Sequence, residues 1–395
     1  MPQTALQAIP SAAAQTVETA PPRRPLRVLM VVDGRYPATG GAEMQARLLS
    51  AAFAAAGHQV HVLVPQLDRS LPEHDAVDGV GVTRLPYPRI KGLGAMLLNL
   101  RFGWWLLRHQ HAYDAIHIHM MHNLAGAAGW FKPWLKPRVI VKVSGAAEFQ
   151  GGILDPALHH RVVHRLLRRG AQRLDGFQCI SQRTARIMAD AGFAPQRLHL
   201  VPNAVDVLRF QPAGQRDQST LHAVFVGRHV PVKGLDVLLR AWAAARLPVG
   251  ATLTLAGDGP ETPRLMALAK TLGIHGSVRF PGLVTDVPAL LAAGNLYVQA
   301  SHQEGLPNAV LEAMASALPA VVTRVSGHED VIVEGDNGYL VPANDPAALA
   351  AAIGKLAFDP AARQRMGAAA RRYVECHFST DRVLESLLAI YKEPV

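Results

Sequence analysis

Short apolar runs of strand length alternate with helix-like stretches along most of this 395-residue chain. The first run, Leu26–Asp33 (LRVLMVVD), is followed by a helical stretch from Gly40 to Ala56 and by a second run at Gln59–Pro65. Strands and helices that alternate in this way pack as a parallel sheet with helices on both faces. The series continues with strands at Asp114–His119, Arg138–Val143 and Phe177–Ile180, helices at Leu124–Leu135 and Pro156–Leu174, and Ser181 as the N-cap of the next helix.

The alternation starts again at Leu221, which predicts a second parallel sheet. Its predicted strands are Leu221–Gly227, Ala251–Ala256, Ser277–Pro281, Leu296–Gln299 and Pro319–Thr323, with a first helix at Leu235–Ala245. The segment Pro202–Gln218 contains Pro, Asn and Gly and is the predicted hinge. The fold class is therefore α/β, with two Rossmann-like doubly wound sheets whose strand ends face a common cleft. The predicted division is a disordered tail at 1–25, an N-terminal domain at 26–205, a C-terminal domain at 206–378 and a last segment at 379–395.

Composition excludes several classes of protein. Residues 1–25 are rich in Ala, Pro, Gln and Thr, which is typical of a disordered tail rather than of a secretory signal. The best candidate for a membrane span, Ala95–Leu107, is interrupted by Arg101 and is shorter than the roughly 18 apolar residues that a spanning helix needs. Cys179 and Cys376 are the two cysteines of the chain, and so few favour a reduced, cytoplasmic protein over a disulfide framework or a thiolate metal site.

Positive charge is concentrated in the N-terminal half. Residues 24–205 contain 22 Lys and Arg against 11 Asp and Glu, whereas residues 206–395 contain 17 against 18. A basic half attracts an anionic membrane face, a phosphorylated substrate or nucleic acid, or is simply a soluble basic surface. No nucleic-acid-binding module is recognisable, so no nucleic acid partner is predicted.

Two glutamates with seven residues between them, Glu304 and Glu312, enclose the sequence GLPNAVL. Pro307 suits the first position of a helix, which places Glu304 in the preceding loop and Glu312 along the helix. The unpaired N–H groups around Leu306, Pro307 and Asn308 then form a partly positive anion site. A diphosphate bound there would have one carboxylate near the sugar hydroxyls and the other near the ribose diol. The alternative is a surface helix with two exposed acids.

Two cations follow the first strand of the second half, in the segment Phe225–Gly234. Arg228 offers a fork-shaped guanidinium and Lys233 a compact ammonium, both of which bind phosphate well. Together they would stabilise a leaving nucleoside diphosphate as its bond breaks. Two unrelated surface cations are the alternative.

Taken in order, these motifs and four others resemble family 4 of the retaining glycosyltransferases, of the type that builds bacterial polysaccharide and lipopolysaccharide. The resemblance covers nearly the whole chain from Leu26 onward. The matching segments are Gly40–Glu43 (GGAE), Asp114–His119 (DAIHIH), Val201–Asp206 (VPNAVD), Arg228 with Lys233, Ala256–Pro260 (AGDGP) and Glu304–Glu312. The resemblance implies the GT-B fold, in which a last helix, here Thr380–Tyr391, crosses back to the first domain.

The resemblance also implies roles for single residues. Gly41 lies in a loop whose backbone approaches the donor diphosphate or the acceptor, and His119 hydrogen-bonds the transferred sugar. Glu304 holds the sugar hydroxyls, Glu312 the ribose, Arg228 and Lys233 the phosphates, and the loop Gly282–Val284 the base, through backbone groups that include Val284. A buried core histidine is the alternative for His119 and the favoured interpretation for His117, which is taken to be one step out of register.

Enzymes of this family transfer with retention, by attack of the acceptor on the face that the phosphate leaves. The departing phosphate takes the proton, so no nucleophile–base pair is needed, and the isolated Asp258 predicts no metal site. A UDP-sugar is favoured as donor over GDP-mannose. The sequence departs from the family at Asn203-Ala204 (for Asn-Gly), a mild change in a turn, and at Ala300-Ser301 (for Pro-Ser), with little consequence expected. It also has Val141–Gly145 (VKVSG) in place of Thr-x-His-Gly, so its acceptor contacts do not carry over.

The acceptor is expected to bind the basic N-terminal half. Segment Arg89–His111 combines an apolar helix, two tryptophans and flanking arginines, which suits a peripheral membrane contact or, alternatively, a core helix. A second cationic group is predicted on one helix face: Arg161, Arg165, Arg168, Arg169 and Arg173. These features predict a cytoplasmic enzyme at the inner face of the plasma membrane that adds a hexose to a saccharide or a lipid-linked saccharide.

Three other functions are compatible with parts of this pattern. A sugar-nucleotide epimerase of the same architecture would bind the same donor but would need no acceptor. A dinucleotide-dependent oxidoreductase would share the fold, yet neither first-strand turn reads G-x-G-x-x-G. A non-enzymatic basic binding protein would explain the charge but would not need Glu304 and Glu312.

Overall fold

The computed structural model describes residues 24–393, apart from residues 39, 92, 150, 151, 159, 213, 215 and 217. The tail predicted at 1–25 lies almost entirely outside the described residues. The strands are β1 (Arg27–Val32), β2 (Gln59–Pro65), β3 (His74–Val77), β4 (Val80–Leu85), β5 (Ala115–His119), β6 (Arg138–Val143), β7 (Gly176–Cys179), β8 (Leu198–Leu200), β9 (His222–Val226), β10 (Thr252–Ala256), β11 (Val278–Gly282), β12 (Leu296–Gln299), β13 (Ala320–Thr323) and β14 (Gly338–Val341).

The α-helices lie between these strands and after the last of them. They are α1 (Gly41–Ala55), α2 (Gly94–His109), α3 (Asn123–Phe131), α4 (Ala146–Phe149), α5 (Val162–Ala171), α6 (Gln182–Asp190), α7 (Leu235–Ala244), α8 (Thr262–Thr271), α9 (Val287–Ala293), α10 (Asn308–Ala315), α11 (Ser326–Glu329), α12 (Pro346–Ala357), α13 (Pro360–His377) and α14 (Thr380–Lys392). None of the described helices combines the length and the apolar character that a membrane crossing requires.

The strands form two open sheets, as predicted. The described strands of the first sheet follow the order β3-β4-β2-β1-β5-β6-β7-β8, and those of the second follow β11-β10-β9-β12-β13-β14. All pairs are parallel except the edge pair β3–β4. The chain changes direction of winding between β1 and β5 and again between β9 and β12, and ligands of such sheets bind at these points. His119 ends β5, and Glu304 follows β12.

Helices cover both faces of the first sheet. On one face α1 and α14 pack on Val28, Met30 and neighbouring strand residues, and on the other α2, α3 and α5 cover a second apolar cluster. The chain returns from the second sheet through α13, and Val205 N donates to Phe378 O at 2.8 Å just before α14 begins. The last helix thus packs against the first sheet.

Three local predictions were wrong. The helix predicted at Leu124–Leu135 ends at Phe131, where a short 3-10 turn that contains Pro133 replaces it, because proline cannot donate the next helical hydrogen bond. The helix predicted at Pro156–Leu174 is the shorter α5, preceded by a separate turn. The hairpin β3–β4 was missed because its first strand, HDAV, is short and mostly polar.

Candidate active site

Among the described acids of the cleft, Glu304 accepts the most hydrogen bonds. Its Oε1 accepts hydrogen bonds from Lys233 Nζ (2.7 Å), Gln299 Nε2 (2.6 Å) and Ser301 Oγ (2.6 Å), and its side chain is 10% exposed. Burial on its own would raise the pKa of Glu304, but the Lys233 ammonium and the donated bonds hold it below its ordinary value. The site therefore contains a carboxylate that stays ionised at neutral pH.

The local chain explains how Lys233 reaches Glu304. Gly234 has a left-handed backbone with φ 59°, and a Cβ there would lie 2.1 Å from Ala300 O. Glycine is the residue that permits both the turn and this close approach. The end of the β9–α7 connection therefore packs against the loop after β12, which brings Lys233 into contact with Glu304.

Glu312 lies one turn into α10 and differs from Glu304. It is half-buried, and no hydrogen bond or ion pair joins its carboxylate to another described residue. Burial raises the pKa of Glu312 to about 7, and only the charge of Arg209 acts in the opposite direction. The carboxylate is therefore an acceptor without a donor of its own.

Arg228 is exposed after β9, and its guanidinium forms no hydrogen bond or ion pair with any described residue. At the end of β11, Gly282 O accepts a hydrogen bond from Gly257 N at 2.8 Å. This bond orders the loop that leads to the half-buried Val284. Arg228, Lys233 and the Val284 loop all follow carboxyl ends of strands of the second sheet.

Asn308 joins the two domains at the first turn of α10. Its Oδ1 accepts a hydrogen bond from Asn203 Nδ2 of the hinge at 2.8 Å, and its Nδ2 donates one to Gly41 O at 3.3 Å. Leu306 O also accepts Asn203 Nδ2, at 3.4 Å. Pro307 is the N-cap rather than the first helical residue, with φ −82° and ψ 102°, and it has no N–H to offer an anion. The predicted anion site therefore depends on the neighbouring backbone.

His119 is fully buried at the end of β5, and its ring stacks on that of His117 with centroids 4.7 Å apart. The prediction that His117 lies out of register was wrong, because residues two apart in a strand share a face. His117 Nδ1 instead lies 2.5 Å from Tyr391 Oη of α14. The core interpretation of His117 fits this burial and bond.

Comparison with known proteins places this cleft in a family. A family model described as "Glycosyltransferase Family 4" matches residues 39–209, and one described as "Glycosyl transferases group 1" matches residues 220–359. A D-inositol 3-phosphate glycosyltransferase of Salinispora arenicola is 32% identical over 317 residues, which are 72% of this chain and 69% of that protein. The chain belongs to glycosyltransferase family 4.

A second relative agrees with this family, and a solved structure agrees with the fold. The lipopolysaccharide core biosynthesis glycosyltransferase LpsE of Rhizobium meliloti is 36% identical over 165 residues, 42% of this glycosyltransferase and 48% of LpsE. The crystal structure of Anabaena HepE in complex with UDP superposes with a TM-score of 0.76 at 18% identity, covering 92% of this chain and 99% of HepE. This structural similarity confirms the GT-B fold.

A cavity of about 140 Å³ adjoins Glu304 on the side of the N-terminal domain of this glycosyltransferase. Both domains line it, with Ser181, Arg183 and Ile187 of α6 and its cap on one side and Gly305 and Ser326 on the other. A Cβ on Gly305 would lie 2.7 Å from Ser144 O, so only glycine lets the two loops meet here. Sequence reasoning did not single out Arg183, because a lone arginine on a helix carries no signal of its own.

Apart from Lys233, sequence reasoning also missed the partners of Glu304. Gln299 and Ser301 leave β12 two residues apart and so point to the same side, a pattern that the sequence does display. His328 comes from a different segment, where its Nδ1 lies 2.7 Å from Thr323 O, and burial lowers its pKa to about 4 although the Glu304 charge acts the other way. The site is thus a polar cluster built by three separate stretches of the C-terminal domain.

Proposed function

We propose that this glycosyltransferase moves a hexose from a nucleotide-sugar to a saccharide or a lipid-linked saccharide, with retention of configuration. The observation that carries the proposal is the ionised, three-fold bonded carboxylate of Glu304 at the cleft between two Rossmann-like sheets. A fixed carboxylate of this kind accepts hydrogen bonds from sugar hydroxyls without reorganising. The free oxygen, Oε2, is the atom proposed to receive them.

The donor is proposed to lie along the edge of the second sheet. Glu312, which has no donor of its own, would accept the ribose hydroxyls, and the backbone near Val284 would hold the base. Arg228 and Lys233 would bind the phosphates, since one N–H of the Lys233 ammonium is used by Glu304 and others remain. Gly41 and the first turn of α10, with Leu306, Pro307 and Asn308, would enclose the diphosphate from the other side.

The proposed reaction forms and breaks bonds on one face of the sugar. The bond between the anomeric carbon and the phosphate oxygen breaks, the acceptor oxygen bonds to that carbon, and the departing phosphate takes the acceptor proton. The protein supplies position and charge: Arg228 and Lys233 neutralise the leaving diphosphate, and His119 and Glu304 hold the sugar. These two cations make the proposed chemistry independent of a metal ion.

A thermal-shift panel tests the donor. UDP-, GDP- and ADP-sugars are added with a chelator to the wild type, to Lys233→Ala and to the control Lys270→Ala on the exposed face of α8. A UDP-sugar is favoured over GDP-mannose, and the HepE structure with UDP supports this order. One sugar nucleotide family should raise the melting temperature of the wild type and the control, but not that of Lys233→Ala. Absence of any shift at saturating ligand would contradict the proposal.

The membrane proposal concerns the outer face of the α2–α3–α5 layer. On α2 the residues Leu98, Phe102 and Leu106 are buried, whereas Met96, Leu100 and Trp104 are 51%, 53% and 59% exposed. One face of α2 therefore packs in the core, as the core alternative predicted, and the opposite face is free for the proposed membrane contact. On α5, Val162, Val163 and Leu166 are exposed as well.

Charge on this layer favours an anionic partner. Neither α2 nor α5 contains an acidic residue, and Arg161, Arg165 and Arg169 are exposed beside the apolar side chains. The cationic face is smaller than predicted, because Arg168 turns inward to donate to Ala191 O and Arg173 lies over the Trp130 ring. Exposed apolar and cationic side chains together are typical of a protein that lies on a bilayer.

We propose that this layer docks on the anionic inner face of the plasma membrane, where lipid-linked acceptors of capsule, exopolysaccharide or lipopolysaccharide synthesis reside. The similarity to LpsE supports that class of pathway. Flotation with phosphatidylglycerol vesicles at low salt tests the docking. Leu100→Ser with Trp104→Ser should abolish flotation, each of Arg161→Ser and Arg165→Ser should weaken it by about 5-fold, and Val249→Ser with Met266→Ser in the C-terminal domain should have no effect. If the wild type does not float, the membrane proposal fails and the transferase proposal stands.

A further inference from the structure

A row of buried polar side chains crosses the carboxyl ends of three neighbouring strands of the first sheet. His119 of β5 pairs in register with Lys142 of β6, and Lys142 pairs with Gln178 of β7. His117 lies two residues before His119, on the same face. All four side chains are at most 1% exposed, beneath the helix layer formed by α1 and α14.

His117 connects the last helix to this row. Tyr391 Oη of α14 lies 2.5 Å from His117 Nδ1. Burial lowers the pKa of His117 to about 3, so the ring is neutral and shares one hydrogen bond with the tyrosine hydroxyl at Nδ1. Gln178 lies beside this ring, and its Nε2 donates to the hinge carbonyls Val201 O (3.0 Å) and Pro202 O (3.3 Å). His117 is therefore held between the last helix and the hinge.

His119 stacks on His117 and is positioned by packing rather than by hydrogen bonds to the described residues. The two rings stack at an interplanar angle of 22°, while neither nitrogen of His119 has a hydrogen-bond partner among the described residues. Burial, followed by the charges of His117 and Lys142, holds the pKa of His119 well below its usual range. A neutral imidazole offers one donor and one acceptor, and buried groups of this kind are normally satisfied.

We propose that Tyr391 is a positioning residue: through His117 it fixes the ring plane of His119, and thereby the hydrogen bond of His119 to a hydroxyl of the donor sugar. The inference rests on the proposed function, in which His119 faces that sugar. A hydroxyl both donates and accepts, which matches a neutral imidazole better than a phosphate does. Loss of the Tyr391 hydroxyl should therefore weaken binding of the sugar part of the donor and spare the nucleotide part.

Calorimetric affinities for UDP and UDP-glucose separate these two parts. Tyr391→Phe keeps the ring that stacks on Phe53 and removes only the hydroxyl. We expect it to weaken UDP-glucose by about 3- to 10-fold, the effect of one hydrogen bond, and to leave UDP unchanged. The control is Tyr113→Phe in the same domain, a half-buried tyrosine whose hydroxyl forms no hydrogen bond with any described residue. If the thermal-shift panel shows that the protein binds a GDP-sugar, GDP and GDP-mannose replace UDP and UDP-glucose in this test.

A second variant keeps the test decisive if Tyr391→Phe folds poorly. His117→Phe retains a ring against His119 but removes the hydrogen-bond partner of Tyr391, so it should show the same selective loss. The double variant should be no worse than either single one. Equal weakening of both ligands, or no change in either, would overturn the inference. If the wild type binds neither ligand, the proposed function itself fails and this inference falls with it.

Discussion

The two sheet edges that face the cleft differ in how their polar groups are satisfied. At the second sheet, Glu304 Oε1 already accepts three hydrogen bonds, and Lys233 and Glu304 balance each other's charge. At the first sheet, His119, Lys142 Nζ and Gln178 Oε1 are buried and have no hydrogen-bond partner among the described residues. Preorganised groups bind a ligand without rearranging, whereas unsatisfied buried groups destabilise the protein until a ligand completes them. We infer that the second edge is set for the donor in advance and that the first edge is completed by substrate.

The largest expected effect is loss of stability at the satisfied edge. Glu304→Ala removes the acceptor of the Lys233 ammonium and of the Ser301 hydroxyl in a largely buried site and leaves Gln299 Nε2 with only its bond to Ser301 Oγ (3.1 Å). The free energy of unfolding should therefore fall by about 3 kcal/mol. Because the pKa of Glu304 is lowered on folding, its contribution is complete above the pKa of the unfolded chain and is lost as pH falls through the folded pKa. Urea denaturation at neutral pH measures the change.

The control for this prediction is Glu329→Ala. Glu329 is exposed and its carboxylate lies 3.9 Å from Arg324, so its removal should change stability by less than about 0.5 kcal/mol. Equal effects of the two variants would mean that the Glu304 cluster is not the preorganised unit described above.

The opposite sign is expected at the unsatisfied edge. Burial lowers the pKa of Lys142 to about 7 from an ordinary value of 10.5. A lysine whose pKa falls on folding destabilises the folded state, fully below pH 7 and less as pH rises toward 10.5. Lys142→Met should therefore raise the free energy of unfolding by about 1–3 kcal/mol at pH 6.5 and by less at pH 9. Lys136→Met, at an exposed lysine of the same domain, should show no such dependence.

Glu312 tests whether the donor edge contains an unsatisfied group of its own. Its pKa of about 7 means that the ionised form destabilises the fold, from the unfolded pKa upward and fully above pH 7. Glu312→Gln should stabilise the protein by about 1 kcal/mol at pH 8 and by less at pH 5.5. Conversely, the ionised form accepts ribose hydroxyls, so affinity for the nucleotide-sugar should rise between pH 6 and pH 8 in the wild type. The rise should disappear in Glu312→Gln.

The sequence predicted the satisfied edge better than the unsatisfied one, for a physical reason. The spacing of Glu304 and Glu312 around a helix start is local, and so is the strand–turn–helix that contains Arg228 and Lys233. The pairing of Tyr391 with His117 joins residues 274 apart, and no local pattern indicates it. His117 and His119 were read as lying on different faces, although period two places them together. Partners such as His328 and Arg183 depend on how loops meet, which hydrophobic periodicity does not encode.

The smallest expected effect lies where the two edges meet, at Asn308. Its side chain accepts from Asn203 and donates to Gly41 O, so Asn308→Ala removes two interdomain hydrogen bonds that are partly open to water. The free energy of unfolding should fall by only about 1 kcal/mol. Because Asn308 also belongs to the turn proposed to enclose the diphosphate, UDP affinity should fall. The additional affinity for UDP-glucose should fall further, because it requires both edges to hold one ligand. A uniform loss for both ligands would instead show that Asn308 supports the donor edge alone.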